Sequence, residues 1–447
     1  MTGVVTLLRL ARLFARRAGG DATTLALPAV AFAVVTLCTT VVAGGVFAFF
    51  TFGGENGGVY RMLALLALVL LIVPLASLGG AAARLSARRR DERLSSLRLM
   101  GASTGLVSAL TVLESTAVAL AGAVAGSLLS LAALPLFGLL RFDGAAIGAA
   151  IWPPVWVYFA VIGAVVVLSA VSAALGLRAV VITPLGVRTR VVHAGARGIR
   201  AVIAAAVLVA AVVVMNTLTS LGGIVVIVGA VLACFGGVLA VLGVVGPVVL
   251  RAYGRRWLRR AGTPARLISA RGVLDDPKAA WRQVGSVAMV CFVGVFAGIG
   301  VAITQTVGGG QDAAARILAQ DIRTGVVLTL VMSFAMVACA VGVNQAAAVL
   351  DRRALYVSLD RIGMPAAVMD AARRRAVLAP LLVVTIGSAC TAAIILFPLT
   401  GMALLLQPLA LAIIAGCLAL GIGLVWLGLL ATRAVLNSVL AAGVVEQ

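Results

Sequence analysis

A chain of 447 residues that is 63% apolar and only 11% charged, with a mean hydropathy of +1.20, is not a soluble domain, in which about half the residues are apolar and about a quarter charged. Fourteen acids, one histidine (His193) and one lysine (Lys278) leave little for catalysis. They exclude a zinc site of the usual Cys/His kind and a Walker-type ATP site, because Lys278 follows Asp275-Asp276-Pro277 rather than a glycine loop. The net charge of +21 calls for a topological rather than a nucleic-acid explanation.

The N-terminus, Leu8-Arg9-Leu10-Ala11-Arg12-Leu13-Phe14-Ala15-Arg16-Arg17, reads as a basic amphipathic helix at the inner membrane surface. The apolar run from Thr24 to Phe50 is too long for a signal-peptide core and reads as an uncleaved first span. Ten candidate spans follow from hydropathy. They are 24–50, 60–84, 104–138, 152–178, 199–219, 222–250, 283–306, 322–350, 376–397 and 404–432. Only Ser220-Leu221-Gly222-Gly223 breaks the fifth from the sixth. The six cysteines (Cys38, Cys234, Cys291, Cys339, Cys390, Cys417) all lie in apolar runs without a CxxC pair and read as buried thiols.

Sorted by loop, 31 of the 35 basic residues fall on one side, and Arg61, Arg141, Arg316 and Arg323 fall on the other. The positive-inside rule places both termini in the cytoplasm. Anionic head groups screen part of the charge, and no nucleic-acid partner is needed. The outer loops, 51–59, 139–151 and 307–321, are too small to fold alone.

Two inner loops resemble each other. The first is Arg88-Arg89-Arg90-Asp91-Glu92-Arg93-Leu94-Ser95-Ser96-Leu97-Arg98-Leu99-Met100-Gly101-Ala102-Ser103, and the second Asp351-Arg352-Arg353-Ala354-Leu355-Tyr356-Val357-Ser358-Leu359-Asp360-Arg361-Ile362-Gly363-Met364-Pro365. Aligning Gly101 with Gly363 pairs Leu97 with Leu359 and Leu94 with Tyr356. Leu94, Leu97 and Met100 form an apolar stripe beside Arg89, Arg90, Asp91 and Arg93. Gly101 suits a helix C-terminus at positive φ, and Ser103 suits the next N-cap. Helix, corner and long span together make a lever that a partner can push; a helix resting on lipid head groups is the simpler alternative. A further echo, Ala265-Arg266-Leu267-Ile268-Ser269-Ala270-Arg271 before span 7, matches the N-terminal helix. The repeat is therefore parallel, spans 1–4 and 7–10, with spans 5 and 6 inserted. Secondary transporters commonly carry inverted repeats.

The first loop resembles the signature of FtsX-like, MacB-type ABC transporter permeases, in which the loop between the second and third spans of a four-span module ends in Leu-Arg-x-x-Gly-Ala. Leu97, Arg98, Gly101 and Ala102 match it, and Glu114 fits an acid usual in the following span. Residues 178–190, with Pro184 and Val187-Arg188, resemble the module's ending. The second copy differs: Asp360 stands opposite Arg98 and Ala376 opposite Glu114. The resemblance implies an all-α integral membrane protein of about ten helices. It has two parallel modules, 1–190 and 251–447, joined by an insert at 191–250. It implies a non-catalytic permease in a bacterial plasma membrane, with ATP and magnesium held by a separate ATPase, two copies per chain. That ATPase would contact Arg89, Arg90, Asp91, Glu92, Leu94, Leu97, Arg98 and Gly101 in the first copy. In the second it would contact Arg352, Arg353, Tyr356, Leu359, Asp360, Arg361 and Gly363. The cargo would be amphipathic or hydrophobic, exported or extracted from the bilayer, as in resistance to membrane-active peptides.

Within the spans, Glu114 reads as the only deep acid, either a structural or gating group or a proton or substrate site. Asn344 and Gln345 either bond a neighbouring helix or line a path. Gly122-xxx-Gly126 and Gly294-xxx-Gly298 permit close helix contact. An ion-coupled secondary transporter and a force-transmitting regulator of an envelope protein are the competing functions. No HExxH, GxSxG or paired catalytic acids suggest an intramembrane enzyme.

Overall fold

The computed structural model describes residues 22–53, 57–88, 104–181, 197–217, 224–307, 313–351, 353–400 and 408–431. Nearly all of them are helical. The N-terminal basic segment and the loop 89–103 lie outside the described residues. The chain groups into two compact units, Met1–Leu68 with Pro74–Arg190 and Val69–Val73 with Val191–Gln447.

The first unit is built from α1 (Ala22–Thr51), α2 (Gly57–Arg88), α3 (Thr104–Gly138) and α4 (Val155–Val181). Its most extensive packing is α1 against α3, followed by α3 against α4. Small residues set this order. A Cβ added to Gly122 would lie 2.5 Å from the Ala29 carbonyl oxygen and 2.8 Å from the Phe32 Cβ, and one on Gly126 would strike the Ala33 backbone. Gly122 and Gly126 therefore face Ala29 and Ala33, a small-xxx-small seam on each helix that lets the backbones meet. The Gly-xxx-Gly spacing, a weak signal among 50 glycines, marks a real contact here.

The loop between α3 and α4 folds as a two-residue hairpin. Strands β1 (Arg141–Phe142) and β2 (Ala145–Ala146) pair antiparallel. Asp143 (φ 54) and Gly144 (φ 76) occupy the turn, the Asp-Gly signature of a type I′ hairpin. Phe142, buried by the fold, meets Phe49 at 5.0 Å between ring centroids, and Phe49 stacks on Tyr60 at 5.9 Å. Phe52 closes the cluster against Tyr60 at 5.5 Å. These rings tie the ends of α1 and α2 to the hairpin, while Trp152, Trp156 and Phe159 stay exposed, as in the aromatic belts of membrane interfaces.

The second unit holds α5 (Arg197–Thr217), α6 (Ile224–Arg259), α7 (Pro264–Asp275), α8 (Pro277–Val307), α9 (Ala313–Asp351), α10 (Arg353–Arg361), α11 (Ala366–Thr400) and α12 (Pro408–Ala431). Its central helix is α8, which packs on α6, α9, α11 and α12; α5 packs on α6 and α11. As in the first unit, the first and third helices of the expected module, α8 and α11, make the most extensive contact. Trp281 of α8 seats its ring over Gly246 of α6 and Gly285 of its own helix, where a side chain would displace it. Helix α7 ends at a sharp corner. Asp276 accepts a hydrogen bond from the Ala279 amide at 2.9 Å, an N-cap, and Pro277 opens α8 where a missing N–H costs nothing.

The helices overrun the spans read from hydropathy. The outer loop expected at 307–321 is helical from Ala313, α6 continues through Arg251 to Arg259, and α11 starts at Ala366 rather than 376. A hydropathy window stops at the first charges, whereas a helix continues wherever backbone hydrogen bonds remain favourable and the charges find water or partners. Among the described residues eight helices are long and apolar enough to cross a membrane, and α5 and α12 carry shorter apolar stretches, Ile203–Val214 and Leu418–Leu430. The chain is an all-α integral membrane protein. Of the cysteines, Cys38 and Cys291 are buried, but Cys390 is exposed on α11, against the expectation that all would be buried.

Candidate functional site

The residues singled out by the second patterned loop converge on the arginine-rich end of the second unit. Helix α10 begins at Arg353 and ends in a complete left-handed cap. Gly363 has φ +85; its amide donates to the Asp360 carbonyl at 2.8 Å, and the Met364 amide to the Leu359 carbonyl at 3.0 Å. These are the two bonds of a Schellman motif, which needs a residue without a Cβ penalty at the turn. Pro365 starts the next helix, its carbonyl accepting the Val368 amide at 2.9 Å. The chain thus turns within four residues and feeds directly into the 35-residue α11.

One face of α10 is apolar. Leu355, Leu359 and Ile362 fall at positions i, i+4 and i+7, which share a helix face. Leu355 is 48% and Ile362 81% exposed, and Asp360 and Arg361 flank them in solvent. Tyr356 and Leu359 are half-buried. The stripe is thus exposed and edged by charge, on a helix that packs mainly against the end of α9.

Asn344 and Gln345, at the same end of α9, both bond α8. The Asn344 amide donates to the Arg282 carbonyl at 3.4 Å, and the Gln345 amide to the Gln283 Oε1 at 3.1 Å. Gln345 is buried, and burial of a side-chain amide is tolerable only with such a partner. Arg282 also approaches Asp276 at 3.9 Å in a solvent-exposed pair.

One cluster contains none of the residues singled out from the sequence. Asp370 and Arg373 are both buried at the start of α11. Arg373 Nη2 donates to Asp370 Oδ1 at 3.0 Å and to the Leu429 carbonyl of α12 at 2.9 Å. Arg374 pairs with Asp370 Oδ2 at 2.8 Å. The signal was present as an acid followed at i+3 and i+4 by arginines, the spacing at which helical side chains meet. It was lost because residues before 376 read as loop. Asp321, buried in the span Arg316–Val349, was missed for the same reason. Glu114 is therefore not the only acid in a span: Asp370 also lies in one, Ala366–Ile395.

Glu114 itself is half-buried on α3. Its neighbour Ser115 is buried and accepts the Ser169 hydroxyl of α4 at 3.2 Å through its carbonyl oxygen, whereas Thr116 bonds back to Val112 and Leu113 of its own helix. Arg89, Arg90, Asp91, Glu92, Leu94, Leu97, Arg98, Gly101 and Arg352 lie outside the described residues.

Residues 61–184 match the family model described as FtsX-like permease C-terminal. The match runs from α2 through α4 and includes the first patterned loop. Over that segment the chain is similar to the C-terminal domain of FtsX-like permeases. No curated protein matches the chain.

Proposed function

We propose that this chain is the membrane-spanning subunit of an ABC transporter whose ATP hydrolysis resides on a separate ATPase dimer, and that it exports an amphipathic or hydrophobic molecule or extracts one from the bilayer. The observation that carries the reading is the family match across residues 61–184, which spans the loop with Leu97-Arg98 and Gly101-Ala102. The second patterned loop supports it from a different side: α10 is short, exposed, apolar on one stripe and fixed by its Schellman corner to a long helix. The basic-residue distribution and the repeat support two parallel four-span modules, 1–190 and 251–447, with both termini in the cytoplasm, and the family resemblance supports a bacterial plasma membrane.

In this reading the ATPase subunits hold ATP and magnesium, and each presses one patterned loop. Arg89, Arg90, Asp91, Glu92, Leu94, Leu97 and Arg98 face one subunit; Arg352, Arg353, Tyr356, Leu359, Asp360 and Arg361 face the other. Gly101 and Gly363 are the corners through which the push reaches α3 and α11. The small outer loops leave the bilayer itself as the place where an apolar cargo is met.

The test is stimulation of the partner ATPase by the reconstituted permease. Arg98→Glu and Ile362→Asp each lower that stimulation while leaving membrane insertion intact. Full stimulation in both variants removes the lever assignment.

A further inference from the structure

We infer that Arg373 is a positioning residue: it ties the corner that follows α10 to the last turn of α12, so that a displacement of α10 is delivered to two spans rather than one. The transport consequence rests on the function proposed above; the mechanical tie does not.

A guanidinium at the end of an apolar span is stable only if its donors are occupied. Arg373 meets part of this need through Nη2, which bonds one carboxylate and one backbone carbonyl on two different helices. Asp370 is in turn held by Arg374, so its position does not depend on Arg373 alone. The division of labour is unequal. Arg374 is about one-third exposed, with its side chain at 32%, against 4% for Arg373 and Asp370, and its ion pair stays within α11. Of the two arginines, Arg373 is the one that bonds α12, where its positive charge also suits the negative end of that helix.

The placement gives the tie its leverage. Asp370 lies five residues beyond Pro365, less than two turns from the Schellman corner at Gly363. The first turns of α11 carry little independent freedom, because Met369 and Ala372 are buried as well. A push on Leu355 or Ile362 therefore reaches Asp370 through rigid helix, and reaches Leu429 through the Arg373 bond beside the packing of α11 on α12.

The experiment uses the full-length permease in nanodiscs, without ATPase. The native cysteines are replaced by alanine, and spin labels are placed at the exposed positions Ile362 and Trp426. The tie predicts a single narrow distance distribution. Arg373→Gln roughly doubles its width, because the bond that fixes the first turns of α11 against the last turn of α12 is then missing. Arg374→Gln, which removes a charge but no contact to α12, leaves the width unchanged. If Arg373→Gln does not yield monodisperse protein, Arg373→Lys carries the same test, keeping charge and volume with fewer donors. An unbroadened distribution in the folded Arg373 variant, or equal broadening in Arg374→Gln, overturns the inference. With the ATPase added, Arg373→Gln lowers transport per ATP hydrolysed while ATPase binding persists. Loss of that effect alongside a broadened distribution would leave the tie standing and remove the function reading.

Discussion

At the residue scale, three positions carry most of the argument. Gly363 sits at φ +85, where a Cβ costs about 1–2 kcal/mol. Gly363→Ala should weaken the corner by that amount and lower ATPase stimulation; Gly105→Ala, at a position with open space around it, should do neither. Gly126 is constrained differently. Its neighbour is the Ala33 backbone, which cannot rotate away, so Gly126→Ala forces α1 and α3 apart. Overpacking of this kind costs about 1–3 kcal/mol, and a thermal melt in detergent should show a clear drop for Gly126→Ala and none for Gly45→Ala. Asp370 is the third. Removing it strands two arginines, one of them buried, and loss of one partner from a buried pair costs about 3–5 kcal/mol. Asp370→Ala should therefore lower the melting temperature far more than Asp276→Ala, whose ion pair with Arg282 is solvent-exposed.

At the element scale, the sequence was legible where one physical signal dominated. Hydropathy located the helices, because burying backbone in lipid demands continuous helix. It misplaced their ends, since charged residues at helix ends stay helical when they pair, as Asp370 and Arg373 do. The hairpin at Arg141–Ala146 was readable from Asp143-Gly144, yet hydropathy alone assigned it to loop. Gly144→Val should open this turn, since a β-branched residue resists φ 76. The loss of Phe142 from its cluster should appear as increased hydrogen exchange in residues 140–147. The α1–α3 seam was ambiguous for a statistical reason: with 50 glycines, spacing does not separate contact from chance, and only the opposing Ala29 and Ala33 decide it. The Asp370–Arg373–Leu429 tie was illegible in its second half, because a hydrogen bond to a backbone carbonyl 56 residues away leaves no residue type to recognise.

At the scale of the whole molecule, the two units share one internal preference. In each, the first helix of the expected module packs most extensively on the third, α1 on α3 and α8 on α11. The short loops preceding α3 and α11 are the two patterned ones. In both units, then, the helix that a partner would push is the one most firmly packed on its neighbour. Under the function proposed above, a push on α3 or α11 would move a packed pair of helices together. The central claim is that the motion is supplied from outside the chain. The most direct measurement is the mass, in detergent, of the complex recovered when the tagged permease is co-expressed with a neighbouring ATP-binding subunit made hydrolysis-deficient and trapped with ATP. The account predicts one permease with two ATPase chains. A permease recovered alone under those conditions would contradict it.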